Sequence, residues 1–272
     1  MEFVLFWKAL VLGVVEGLTE FLPVSSTGHL IVVGDWLGFN DQTGKSFMVA
    51  IQLGAILAVC WEYRLRLAAV LRGLGSEVQA RRFAGNLIIA FLPAAFFGYL
   101  THDFIKAYLF SPKTVAIALI VGGVAILGIE YRYRSHRPQR ETVDQLDWRD
   151  ALRIGCAQCL ALFPGVSRSG ATIMGGLVFG LSRQAATEFS FFLAIPTMFA
   201  ATGYDMLRSW DFLQAADLPV FAVGFTAAFF SGLATVRGLL RFVAHHSFAV
   251  FAIYRIVFGG LLLWLISRQQ LG

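Results

Sequence analysis

The chain has 272 residues, of which 57% are hydrophobic and only 14% charged, with a formal net charge of +5. Soluble domains carry nearer a quarter charged residues. Here apolar runs of membrane-spanning length recur from end to end, joined by loops too short for a separate soluble domain, so the composition excludes a soluble protein and predicts a single membrane domain over 1–272. The positive excess is mostly loop arginine, which suits topology control, anionic lipids and phosphorylated substrates better than nucleic acid, and no nucleic-acid partner is expected.

The first segment, 3–38, is apolar but broken. Glu2 stands where a secretory signal would be basic and no small-residue cleavage site follows, so the segment is expected to stay. Its break reads Glu16-Gly-Leu-Thr-Glu20-Phe-Leu-Pro-Val-Ser25-Ser26-Thr27-Gly28-His29. Glu16 and Glu20, four apart, share a helix face. A carboxylate at membrane depth costs at least about 2.5 kcal/mol and so usually serves a function. Two of them together call for a shared proton or a hard cation with oxygen ligands, Mg²⁺ or Ca²⁺; the plain alternative is a wet helix near the surface. Pro23 is read as ending the first helix and Ser25, Ser26 and Thr27 as opening the next, where hydroxyls either cap the helix or join free amides in holding an anion. His29, three residues after Ser26, is within reach for a nucleophile and acid/base pair, with a satisfied core histidine as the alternative.

Spans are predicted at 46–63, 84–100 and 114–130. A second broken segment follows at 150–181, then spans at 187–207, 219–237 and 248–267. Both broken segments are read as re-entrant, entering and leaving on one side. That count places Arg64, Arg66, Arg72, Arg81, Arg82, Arg132, Arg134, Arg137, Arg140, Arg149, Arg237 and Arg241 together, on what the positive-inside rule makes the cytoplasmic side, with both termini outside. Cys60, Cys156 and Cys159 lie in apolar surroundings; a lone CxxC completes no zinc site, and the three are read as packing residues.

The second break, Pro164-Gly165-Val166-Ser167-Arg168-Ser169-Gly170-Ala171-Thr172, sets an arginine among hydroxyls and glycines inside apolar sequence. Helix N-terminal amides, serine hydroxyls and a guanidinium converge on what suits a phosphate. Snorkelling to headgroups, or an ion pair with Glu16 or Glu20, are the competing readings.

Shifting the sequence by 142 aligns 12–58 with 154–200 without a gap, matching Gly13/Gly155, Phe21/Phe163, Ser25/Ser167, Gly28/Gly170, Gly34/Gly176 and Gly38/Gly180 among others, with Glu16 opposite Gln158. Each copy holds one re-entrant segment and three spans. Three is odd, so the second copy is inverted, and inverted repeats place a shared site at broken helices near the midplane. The expected architecture is therefore an all-α polytopic membrane protein of six transmembrane helices plus two re-entrant segments, its copies covering approximately 1–130 and 143–272. The equipment at the two breaks fits phosphoryl-transfer hydrolysis of a lipid phosphate or diphosphate.

Glu16-xxx-Glu20, Ser25-Ser26-Thr27-Gly28-His29 and Pro164-Gly-x-Ser-Arg168-Ser-x-x-Thr172 closely resemble the undecaprenyl-pyrophosphate phosphatases, the bacitracin-resistance membrane proteins of bacteria, and the likeness covers the whole chain in length and span pattern. The resemblance implies hydrolysis of undecaprenyl diphosphate to undecaprenyl phosphate and inorganic phosphate, which recycles the carrier lipid of peptidoglycan and other envelope polymers. It also implies a bacterial inner-membrane location, a site open to the outer side, and dependence on Mg²⁺ or Ca²⁺. Position by position it implies metal binding or acid/base work for Glu16 and Glu20. Ser26 becomes the proposed nucleophile, His29 its acid/base partner and Arg168 the phosphate clamp. Ser167, Ser169 and Thr172 are supporting donors, with Ser25 and Thr27 beside Ser26. Ser26 either forms a phosphoenzyme or orients the phosphate. The competing function, drawn from the inverted repeat, is a transporter or flippase of an anionic polyprenyl phosphate lipid. A homodimer is compatible with the sequence, and Arg255, inside the last span, either reaches the site or pairs with an acidic side chain.

Overall fold

The computed structural model describes residues 2–39, 42–209 and 217–268, and among these the chain is helical, with no strand beyond one isolated bridge between Arg140 and Leu181. The helices are α1 (Glu2–Thr19), α2 (Ser26–Trp36), α3 (Gln42–Glu62), α4 (Arg64–Gly73), α5 (Val78–Phe104), α6 (Pro112–Tyr133), α7 (Trp148–Gln158), α8 (Arg168–Val178), α9 (Arg183–Ser209), α10 (Leu218–Val243) and α11 (Ala249–Ser267). In lipid a helix is the one open structure that satisfies its own backbone, and local sequence marks the ends. Ser111 accepts from Thr114 N ahead of Pro112, and Asp147 accepts from Arg149 N and Asp150 N at the start of α7. The expectation that both termini face outward concerns residues at 1 and 269–272, outside those described.

Among the described residues five helices, α5, α6, α9, α10 and α11, are each long and apolar enough to cross a membrane. The span expected at 46–63 meets that test only together with α4, from which it is bent by 73°. Ile88, Leu92 and Phe96 of α5, Val121 and Val124 of α6, and Ile253 and Val257 of α11 are exposed, as lipid-facing side chains should be.

The arginine-rich loops gather at one end. Arg66 pairs with Asp144, Arg82 donates to Leu146 O, Arg140 pairs with Asp150 at 3.2 Å, and Arg237 pairs with Glu62 at 2.7 Å. The second broken segment enters and leaves there. Asp150, in its first turn, meets Arg140, and Gly180, just past α8, accepts from the backbone amides of Gln139 and Arg140. The first broken segment does the same at the other end, where Ala9 of α1, Phe39 beyond α2, Phe47 of α3 and Val220 of α10 form one core. Gly38 and Gly180 occupy matching places after α2 and α8 with φ of 58° and 90°, a left-handed conformation that glycine adopts without penalty.

Packing is reciprocal between the halves. α1 lies on α10 as α7 lies on α5. At the contact of α6 with α11, Gly123 sits against Ala252 O and Gly259 against Ala116 O, leaving room for no side chain at either glycine.

One sequence expectation is corrected. α1 ends at Thr19, four residues before Pro23, and residues 20–24 run as turns. The amide of Glu20 still donates to Glu16 O at 2.9 Å, so the two glutamates keep helical spacing across the helix end.

Candidate active site

The tips of the two broken segments meet in the middle of the protein. Arg168 Nη2 contacts Glu20 Oε1 at 3.0 Å, and Ser169 Oγ donates to Leu22 O at 2.8 Å. Of the competing readings for Arg168, the structure therefore shows the ion pair, with Glu20 rather than Glu16. Its Nη1 donates to Ser190 O at 3.1 Å, while its Nε is buried with no partner. Each tip turns on a serine with positive φ, Ser25 at 70° and Ser167 at 75°, a conformation that costs a non-glycine residue about 1–3 kcal/mol and concentrates at functional sites.

Around this junction lies a cavity of about 550 Å³. Glu20, Ser25, Ser26, Thr27, Ser167 and Arg168 line its inner end, Phe91, Ala94 and Gly98 of α5 form an apolar wall, and His102, Tyr204 and Asp205 stand at its rim. Those rim residues belong to the ends of α5 and α9 away from the arginine-rich loops, so the cavity opens at the opposite end of the molecule.

The remaining predicted residues stand behind that lining. Glu16 is wholly buried, and both its carboxylate oxygens lack a hydrogen-bond partner. Thr172 Oγ1 bonds Ser190 Oγ and the carbonyls of Arg168 and Ser169, bracing the first turn of α8. Ser167 Oγ caps α8 through Gly170 N at 3.1 Å and meets Ser169 Oγ at 3.0 Å.

The pairing expected between Ser26 and His29 is not made. Ser26 Oγ donates instead to Glu20 Oε2 at 2.5 Å. His29 Nδ1 lies 2.8 Å from Ser25 O, which only accepts, so Nδ1 carries a proton. Its Nε2 lies 2.6 Å from the Tyr254 hydroxyl, and its ring stacks on Phe258 with centroids 4.4 Å apart. Sequence reasoning missed Tyr254, Phe258 and Ser190. The available signal for the first two was a Tyr254–Arg255 pair, polar in an otherwise apolar span.

The donor set suits a hard cation. Both Glu20 oxygens are engaged, by Arg168 and Ser26, whereas the two orphaned oxygens of Glu16 are oxygen ligands without a function in the protein alone. Among the described residues no group of three or more His, Cys, Asp or Glu side chains could hold a metal. The three cysteines are free.

A polytopic helical membrane protein whose two broken segments bring a guanidinium, helix N-termini and hydroxyls to one cavity is a membrane protein built to hold a phosphate. The comparisons agree: a family model for bacitracin resistance protein BacA matches residues 9–261, and the chain belongs to that family. Over 259 residues, covering 95% of this chain and 94% of each relative, it is 60% identical to an undecaprenyl-diphosphatase of Aromatoleum aromaticum and 62% identical to one of Nitrosomonas europaea. An undecaprenyl-diphosphatase of Ectopseudomonas mendocina is 60% identical over 259 residues.

Proposed function

We propose that the protein hydrolyses undecaprenyl diphosphate to undecaprenyl phosphate and inorganic phosphate, returning the carrier lipid to envelope synthesis. The observation that carries this is the junction of the two breaks, where Arg168, Glu20 and Ser26 form one hydrogen-bonded chain facing a cavity with an apolar wall. The polar end suits a diphosphate and the wall along α5 suits the first isoprene units.

The geometry supports Glu20 as the base for Ser26. As Ser26 Oγ bonds to the terminal phosphorus, its proton passes to Glu20 Oε2 and the bond from that phosphorus to the bridging oxygen breaks, releasing undecaprenyl phosphate. Water then attacks the serine phosphate: Glu20 returns its proton to Ser26 Oγ as that P–O bond breaks, and the protons of the attacking water leave with the inorganic phosphate. Water held in the place of Ser26 Oγ would use the same base. Arg168, freed from Glu20 by the arriving anion, stabilises charge on the phosphoryl oxygens, and the first-turn amides of α2 add to it. His29 holds Ser25, and with it the start of α2. Mg²⁺ or Ca²⁺ held by Glu16 and Glu20 would supply further positive charge to the phosphates.

The cavity mouth lies opposite the arginine-rich end. By the positive-inside rule this supports a site open to the outer face of a bacterial inner membrane. Reciprocal packing of α1 on α10 and α7 on α5 supports two inverted copies, about 1–130 and 143–272. The scheme is compatible with a homodimer and involves no nucleic-acid partner.

One observation favours transport of an anionic polyprenyl phosphate lipid as a second reading. A separate cavity of about 460 Å³, ringed by Glu130, Arg134, Arg137, Arg153 and Arg183, lies at the arginine-rich end, so the tips of the broken segments stand between two openings.

Phosphate release from undecaprenyl diphosphate by the purified protein, with and without a chelator and beside Arg168→Ala, tests the hydrolytic reading. Release that needs divalent cation and falls about 1000-fold or more in Arg168→Ala supports it. Folded protein that releases no phosphate with any metal, but moves the lipid across vesicles, replaces it with transport.

A further inference from the structure

Arg255 of α11 is wholly buried. Its guanidinium uses all five N–H donors, each on a backbone carbonyl: Nε on Leu119 O at 3.2 Å, Nη1 on Pro23 O at 3.1 Å and Val166 O at 3.0 Å, and Nη2 on Ala118 O at 3.1 Å and Gly165 O at 3.0 Å. A charged side chain spent wholly on carbonyls is a costly device in lipid, where an arginine normally meets a carboxylate or reaches for water.

The identity of the carbonyls explains it. Pro23 stands two residues before Ser25, and Gly165 and Val166 immediately precede Ser167. These are the approaches to the two serines of positive φ, where the chain has left one helix and not begun the next, so regular helical bonds cannot serve them. The other two, Ala118 and Leu119, belong to the middle of α6. One planar fork thus ties both tips to the one contact, α6 with α11, that lies beside both.

We infer that Arg255 is the positioning residue of this site: its fork holds the two serine turns in mutual register, so that Ser26 and Glu20 from one and Arg168 from the other face the same phosphate. This rests on the phosphatase reading of the cavity. Lysine cannot replace it, because three tetrahedrally arranged donors on a flexible stem cannot meet five carbonyls lying around a plane.

The fold also supplies a way to move the guanidinium without removing it. A methyl group on Gly122 of α6 would collide with Nη2 of Arg255, whereas one on Gly128 of the same helix meets nothing within 4 Å.

The experiment is steady-state phosphate release from undecaprenyl diphosphate by purified Arg255→Ala, Arg255→Lys, Gly122→Ala and Gly128→Ala. Monodispersity and melting temperature are recorded for each, and added guanidinium ion is tried on Arg255→Ala. A displacement near 1 Å at a reacting group costs about 100-fold. We expect kcat per folded molecule to fall by about that factor in Arg255→Ala and Arg255→Lys with KM within about threefold, and by about tenfold in Gly122→Ala, with Gly128→Ala unchanged. Millimolar guanidinium should restore about tenfold of the loss in Arg255→Ala. A residue that only stabilises the fold would lower the melting temperature and leave kcat of the folded fraction intact. That result, a wild-type kcat in Arg255→Lys, or equal behaviour of Gly122→Ala and Gly128→Ala overturns the inference. If Arg255→Ala does not fold, the two glycine variants decide it. Absence of phosphate release by the wild-type protein would instead overturn the phosphatase reading.

Discussion

The two breaks share a backbone form and carry different side chains. Each turns on a serine near φ 70°, opens an 11-residue helix and ends that helix at a left-handed glycine. The first carries the two glutamates, Glu16 and Glu20, with Ser26 and His29. The second carries Arg168 and its hydroxyl brace. They also differ in how their helices begin: Ser167 caps α8 through Gly170 N, whereas the Ser25 side chain makes no cap bond to α2. The start of α2 is therefore left without a side-chain cap, while α8 is capped and carries the Arg168 guanidinium. Two breaks alike in backbone, placed tip to tip, bring unlike side chains to one junction.

The sharpest way to break that division is to compare Glu20→Gln with Arg168→Lys. Gln keeps the volume and an acceptor for Arg168 but cannot take the Ser26 proton. General-base removal costs about 10²–10⁴-fold, so kcat should fall about 1000-fold with KM little changed. Lys keeps the charge but not the fork that meets Glu20 and Ser190 O, so KM should rise about tenfold or more beside a smaller loss in kcat. Phosphate-release kinetics over a range of lipid concentration separate the two. Variants that moved the same parameter equally would show that the breaks do not divide the work.

A smaller effect tests what holds the first break. Tyr254→Phe removes the hydroxyl 2.6 Å from His29 Nε2 and leaves the ring stack in place. One hydrogen bond is worth about 1 kcal/mol, so kcat should drop about fivefold. No change would release His29 from the role of holding Ser25. This contact also marks where the sequence stopped being legible. The span order and the meeting of the breaks were readable, because hydropathy is set segment by segment and the two breaks match at an offset of 142 residues. The Ser26–Glu20 bond was not, because Ser26 and His29 are close in sequence while α2 turns the imidazole toward α11, 225 residues away. Nor was the end of α1, where Pro23 gave a false stop: the helix yields at Thr19, and the turns that follow swing Glu20 under Arg168. Arg255 could be seen in the sequence, but its five carbonyls come from three segments that only the fold brings together.

The smallest expected effect concerns the serine turns themselves, measured as melting temperatures of Ser25→Gly and Ser167→Gly. Glycine relieves a positive φ at either position, a gain of about 1 kcal/mol offset in part by a freer unfolded chain. At Ser25 no capping bond is lost, so the melting temperature should hold or rise by about 2 °C. At Ser167 the same change deletes the bonds to Gly170 N and Ser169 Oγ, and a lost cap alone costs about 1 kcal/mol, so that variant should melt lower. The sign difference, rather than either value, carries the test. Two serines alike in φ but opposite in response would mean that Ser167 is kept for holding α8, whereas Ser25 leaves its hydroxyl free to face the cavity; equal responses would remove the distinction between a capped and an open helix start.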